Sequence, residues 1–196
     1  MSEPSPQPSI TVHQPDSFHP SLSREHFDVD KFMGKWHVIW STLPLWKSRS
    51  DVTITYSPLL ISPSSDTVKF DDIVEYRSRA SPGSAKSRVV GVDTLVTTPH
   101  GAPEGYVSGV SYHWRGKGWL MIATSKWQVL GYDPDQGWAV TYFSKTLFTP
   151  AGLDIYVRDP TSVGKEVIDD IREATKKVGG EVGRLAEDFF EVPVTE

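Results

Sequence analysis

The sequence predicts an all-β chain, an eight-stranded up-and-down antiparallel barrel with one C-terminal amphipathic helix packed outside. Three observations carry this expectation. About eight short runs rich in β-branched and aromatic residues follow one another with no helical period between them. Pro, Ser, Gly and Asp clusters separate them, some at hairpin length, such as DPDQG at 133 to 137. A long antiparallel meander must then hide its edge strands, and closure into a barrel does so most simply.

Taken in order, residues 1 to 26 hold five of the fifteen prolines with scattered Ser, Gln and His, and show no sustained period. Such a segment buries too little apolar surface to offset its ordering entropy, so it is expected to be a flexible arm. Residues 27 to 196 are expected to form one barrel domain. Its strands are MGKWHVIWSTL (33 to 43), DVTITYSPL (51 to 59), TVKFDDIVEYRS (67 to 78) and KSRVVGVDTLV (86 to 96), then, after a longer connection, WLMIATS (119 to 125), WQVLGYD (127 to 133), WAVTYFS (138 to 144) and GLDIYVR (152 to 158). From about 163 to 178 the period changes: Val163, Val167, Ile171, Ala174 and Val178 recur at three and four residues. DPTS before this helix offers capping groups, and Gly179-Gly180 ends it. The final EDFFEVPVTE is expected to add a short strand or to tuck Phe189 or Phe190 beneath the helix.

The totals narrow the function. A net charge of −5 offers no general attraction to a phosphate backbone, so nucleic acid is not an expected partner. Without cysteine there are no disulfides and no thiolate chemistry. The six His fall at no metal-ligand spacing, so neither a metal nor a cofactor is expected. The N-terminal stretch has neither the basic nor the apolar region of a secretory signal, and no apolar run reaches transmembrane length; a cytoplasmic protein, monomer or homodimer, is the expectation.

FDVDKFMGKW at 27 to 36 gives this pattern a family. A Phe-Asp pair, a short turn and Gly-x-Trp at the start of the first strand resemble the lipocalin signature, carried by Phe27, Asp28, Gly34 and Trp36. VLGYDPDQGWAVTYFS resembles the later hairpin that bears the family's Thr-Asp-Tyr motif, with only Tyr132-Asp133 near its place. LDIYVRDPTSVGKEVIDDI resembles the last strand and the helix after it. The resemblance spans about 27 to 180 and is nearest the bacterial-type branch. It implies that Trp36 closes the narrow end of the barrel beneath Arg158, and that Gly34 permits a close approach there. These three are then structural.

In such a barrel the ligand site is expected at the opposite, open end. Aromatics on strands or loops supply its wall: Trp40, Trp46, Tyr56, Tyr76, Trp127, Tyr142, Phe143 and Phe148. Strand alternation puts Trp36, Val38 and Trp40 on one face, and Trp138, Val140 and Tyr142 on one face of a later strand. Trp46 beside Lys47 and Arg49 would suit a carboxylate or enolate head. The leading expectation is a carrier or scavenger of a small hydrophobic ligand. The alternative is a cofactor-free enzyme on the same barrel, an isomerase, cyclase or dehydratase, with His37, Arg88, Tyr142, Lys145 and Asp154 as catalytic candidates. Asp71 and Asp72 point to opposite faces of their strand and make a poor acid-base dyad, and Asp154 is expected to face solvent. An almost wholly apolar interior would mark a carrier, and a buried polar cluster an enzyme.

Overall fold

The computed structural model describes residues 10–59, 67–81, 83–118 and 121–195. Its strands are β1 (Gly34–Ser41), β2 (Arg49–Pro58), β3 (Lys69–Ser78), β4 (Ser87–Leu95), β5 (Ser111–Gly116), β6 (Thr124–Asp133), β7 (Trp138–Phe143), β8 (Gly152–Val157) and β9 (Phe190–Glu191); its helices are α1 (Val29–Phe32), α2 (Lys165–Lys177) and α3 (Gly180–Ala186). The first eight strands pair antiparallel with their neighbours in sequence, and β1 pairs with both β2 and β8, which closes the barrel. The ninth lies outside that count and pairs with the upper end of β1.

The fifth strand differs from its expected place. β5 is Ser111–Gly116, and of the apolar run at 119 to 125 the described part, from Met121 on, forms the turn into β6 and its first residues, while 119 and 120 lie outside the described residues. Met121 and Ile122 are exposed there, so hydrophobicity alone misplaced the strand. Alternation of Tyr112 and Trp114 on the inner face is what makes residues 111–116 a strand.

The arm expected over residues 1–26 is docked wherever it is described; residues 1–9 lie outside the described residues. The His13 amide donates to the Leu130 carbonyl at 2.9 Å, and the Gln14 side chain donates to the Val178 carbonyl at 2.8 Å. Leu22 is buried in the core, and Ser23 bridges Ser108. Its hydrogen bonds go to barrel and helix backbone rather than to an internal ladder, so no sequence period announces them.

Two hydrophobic clusters divide the molecule. One fills the lower barrel with Phe32, Trp36, Tyr56, Phe70, Tyr112, Trp127 and Tyr156. The other lies outside the wall, where Leu130, Trp138, Val140, Leu153 and Ile155 meet Ile168 and Ile171 of α2 and Val182 of α3. The amphipathic helix thus packs outside, as its period predicts. Gly164 occupies its N-cap position with no side-chain hydrogen bond, while Asp159 turns its carboxylate back onto the Thr161 amide and hydroxyl. Gly179-Gly180 ends α2, but the chain then makes α3 instead of an irregular tail. Phe189 is buried in the outer cluster, and Phe190 begins β9.

Candidate functional site

At the closed end, the short motif assembles a cap. Asp28 accepts hydrogen bonds from the amides of Asp30 and Lys31, each at 3.1 Å, and so starts α1. The Trp36 indole donates to the Phe32 carbonyl at 2.9 Å. Arg158 lies 3.6 Å from the centroid of the Trp36 ring. Its guanidinium donates to the carbonyls of Lys35, Lys31, Phe32 and Met33 at 2.6 to 3.0 Å. Gly34 has a φ of 97°, and a Cβ on it would meet the Arg158 guanidinium at 3.4 Å. The close approach is therefore made by a side chain and enforced by backbone geometry. Four carbonyls thus converge on one cation at the barrel base, that of Phe32 shared with the Trp36 indole.

Above the cap, the lower barrel is filled by rings. Trp127 stacks on Tyr112 at 4.5 Å and on Tyr56 at 5.6 Å, and Phe70 meets Tyr112 edge-on at 5.1 Å. Tyr56 and Trp127, expected in the ligand wall, form the floor of what lies above them. Higher up, the inward side chains change character: Val74, Tyr76, Trp114 and Phe143 are only partly buried although they point into the barrel. The barrel is thus filled up to Tyr56 and Trp127, and the region above them, where the inward side chains are partly exposed, is called the cup. Trp114 lies flat against β4, where a Cβ on Gly91 would fall 2.1 Å from its indole nitrogen, so only glycine leaves that ring its place.

The floor of the cup is acidic. Asp72 and Asp93 are diagonal neighbours on the inner face, since Asp72 pairs with Gly91 and Asp93 with Phe70. Both are buried, and Asp93 accepts a hydrogen bond from the Trp127 indole at 2.7 Å. Oδ1 of Asp72 and Oδ2 of Asp93 receive no donor from the rest of the chain, and the two carboxyls interact with each other, so that a proton on one is shared with the other. Burial raises both carboxyls above the usual range, and the charge of Asp72 raises Asp93 further. Asp154 on β8 also points inward and is fully buried. It accepts from the Ser41 hydroxyl at 2.5 Å and from the Trp46 indole at 3.3 Å. Burial pushes its carboxyl up to about 7, while the two hydrogen bonds draw it down. Between the two acidic positions lies the buried Tyr156 hydroxyl, beside Tyr56 and Thr141.

These placements revise the expected site. Asp154 faces the interior, not solvent, because it shares the inward parity of Tyr156. Trp46 is buried at the mouth, beside Tyr76 at 6.0 Å, and its indole nitrogen points at a carboxylate. Arg49 lies over the ring of Tyr76, one of the inward side chains, and Lys47 over that of Phe190, so each cation rests on an aromatic face. Trp40 is on the outside, in the cluster under α2, with Arg172 at 3.9 Å above its ring. A register shift between Val38 and Trp40 reverses the alternation that would have turned it inward.

Tyr142 belongs to the outer face too, as do Trp138 and Val140, and its hydroxyl donates to Glu181 of α3 at 2.9 Å. Phe143, one residue on, points inward. Phe148 is 83% exposed on the loop after β7, and Lys145 is exposed on the same loop. Arg88 is exposed and pairs with Glu75 on the outward side of β4. His37 alternates with the inward Trp36 and so lies in the wall, facing out; burial, followed by the charges of Lys35 and Lys86, lowers its pKa. Of the proposed catalytic group only Asp154 enters the cup. Asp93, which sequence reasoning overlooked, had a signal: an acid in the apolar run VVGVDTLV, on the same parity as Leu95.

A groove of roughly 750 Å³ lies outside the barrel, between residues 10–12 and α2. Its acids, Asp170 and Glu173, are on the solvent side of the helix, and it holds none of the buried carboxylates.

No family model matches the sequence, and no curated protein matches it. Solved structures do. Apocrustacyanin C1 superposes with a TM-score of 0.61 at 13% identity, over 96% of this chain and 92% of that one. The siderocalin Ex-FABP gives 0.55 at 11% identity over 85% and 96%. The amine-binding protein of Rhodnius prolixus, solved as a tryptamine complex, gives 0.53 at 12% identity over 84% and 80%. At these identities the likeness is one of fold, and the fold is that of the lipocalins.

Proposed function

We propose, for this lipocalin-fold barrel, that the chain binds a small lipophilic molecule in its upper cup, tail against Val74, Tyr76, Trp114 and Phe143 and head on the carboxylates below. One observation supports this most: partly exposed inward aromatics stand directly over a floor of two buried, adjacent carboxyls, Asp72 and Asp93, that take few donors from the rest of the chain. Buried acceptors without donors cost free energy unless a partner arrives, so the head that fits is a hydrogen-bond donor, a protonated amine above all and a hydroxyl next. A carboxylate head could be met only by an acid that keeps its proton, and would face like charge on any that has lost it, so it fits less well. The structural neighbour solved with tryptamine is an amine-binding example on this fold. A cytoplasmic carrier or scavenger is the role we assign.

The test is a series of equal-length alkyl amines, alcohols and carboxylates titrated against tryptophan fluorescence. The amine should bind tightest and the carboxylate weakest, and Asp93→Asn should remove most of the amine's advantage. A carboxylate that binds best contradicts the assignment.

A second use of the same cup is supported by Asp154, whose carboxyl titrates near neutrality beside the Ser41 hydroxyl. Such a group can give or take a proton at physiological pH, as a cofactor-free isomerase, cyclase or dehydratase requires. The interior is in fact mixed, apolar on its walls and acidic on its floor. Turnover is tested by extracting the molecules that co-purify and returning them to fresh protein: unaltered ligand speaks for the carrier, altered product for the enzyme.

A further inference from the structure

The two ends of the barrel are chemically opposite. Among described residues, six large hydrophobic side chains are exposed, and five sit on loops at the open end: Leu45, Met121, Ile122, Leu147 and Phe148. Ile122, Leu147 and Phe148 are 92%, 90% and 83% exposed, on the loops after β5 and β7. Folding does not use them, and a soluble surface gains nothing from showing them to water.

Charge follows the same division. The open-end segments 42–50, 76–88, 115–126 and 143–152 together hold ten of the twenty Lys and Arg and no Asp or Glu. The closed-end connections 96–110 and 134–137 hold Glu104 and Asp135 and no Lys or Arg, while the cap beside them carries charges of both signs, Asp28, Asp30, Lys31, Lys35 and Arg158. The loops of the open end are thus rich in cations in a chain with a net charge of −5, although β9 also brings the exposed Glu191 to that end. Several of these cations support the fold, as Arg77 does on Asp51 and Lys117 on Asp71. Lys47, Arg88, Lys126 and Lys145 are exposed around the tips. Arg115 donates to the Met121 carbonyl at 3.0 Å and so holds a cation under one apolar tip.

We infer that the open end docks on an anionic lipid surface, its loop tips inserted among the headgroups and its cations on the phosphates. Apolar tips on separate loops, each flanked by long basic side chains, fit the interfacial layer of a bilayer, where the alkyl stems of Lys and Arg are buried and their heads stay in water. A protein partner would be met by a contiguous apolar patch instead. No helix among the described residues is long and apolar enough to cross a membrane, so the contact is peripheral. It also sets the mouth of the cup against the lipid. This inference rests on loop residues and stands whatever the cup holds.

The test is co-sedimentation of the full chain with vesicles of phosphatidylcholine, pure or doped with phosphatidylglycerol. Binding is expected to the doped vesicles only, and to weaken as salt is added. The exposed pair Leu147→Ser with Phe148→Ser should lower partitioning about tenfold, and Lys47→Glu with Lys145→Glu by a similar factor. Val107→Ser, at the other end, should change nothing, and the melting temperatures of all variants should match the parent. Absence of binding to doped vesicles at low salt overturns the inference. So does binding indifferent to the tip and lysine variants, or tip-dependent binding to an acidic peptide without binding to vesicles.

Discussion

The residues most legible in the sequence, Gly34, Trp36 and Arg158, build the base and touch nothing in the cup. Trp36→Ala removes a fully buried indole and strands Arg158 among its carbonyls, so unfolding should be easier by about 3 to 5 kcal/mol. Urea unfolding measures this, and the variant, where folded, should still bind the amine; unchanged stability with lost binding would reverse the roles given to the two ends. Asp154 makes the opposite kind of prediction. Its folded pKa is raised, from 3.8 to about 7, so the folded chain holds this proton more tightly than the unfolded one. Stability from this group is full below about pH 4 and is lost as pH rises to 7, at about 1.4 kcal/mol per unit and of order 4 kcal/mol in all. Asp72 and Asp93 act in the same direction, while His37, with a lowered pKa, acts oppositely at the acid end. The melting temperature should therefore fall from pH 5 to pH 8, and Asp154→Asn should flatten that fall; an equal slope in the variant would remove Asp154 as its source. Asp72 and Asp93 come from strands whose alternation was readable, but which parity faced inward was not, because apolar residues such as Ile73, Val90 and Val92 also occupy the outward parity.

Irregularities in the strands mark where prediction from pattern stopped. The register shift after Val38 carries Trp40 to the outer cluster and Ser41 inward to Asp154. Period-two reasoning cannot foresee an inserted residue. Trp40→Ala should consequently loosen α2 and lower stability while leaving ligand affinity nearly intact, whereas Trp46→Ala should change affinity; thermal melts and fluorescence titrations of both variants separate the two. Beyond the same shift, the upper end of β1 pairs with β9, and Asp51 of β2 receives the chain end: its amide donates to the Pro193 carbonyl at 2.8 Å, and its carboxylate accepts from the Thr195 amide at 2.6 Å and hydroxyl at 2.9 Å. Asp51 has a φ of 52°, a conformation unfavourable for a non-glycine residue and maintained by these contacts. Asp51→Ala should cost about 2 to 3 kcal/mol and release the segment around β9 to rapid amide exchange, while the amides of β6 and β7 stay protected. Protection at Val192 equal to that of the parent would show that the carboxylate does not hold this seam.

The architecture as a whole could be read from sequence because each hairpin is local: strands adjacent in sequence are adjacent in the barrel, and a single change of period announced the helix. Long-range features could not be read in the same way. The docked arm, the β9 pairing and the acidic floor each join residues far apart in the chain, through hydrogen bonds or burial that leave no periodic trace. The result is a molecule with a structural end, solid and capped by Arg158, and an open end with aromatic walls, an acidic floor and a cationic rim. Its central claim is most directly tested by a crystal structure of the chain with a bound alkyl amine. The alkyl chain should lie between Val74, Tyr76, Trp114 and Phe143, with the nitrogen within hydrogen-bonding distance of Asp72 or Asp93. An empty cup, with the amine lodged in the outer groove beside α2, would contradict it.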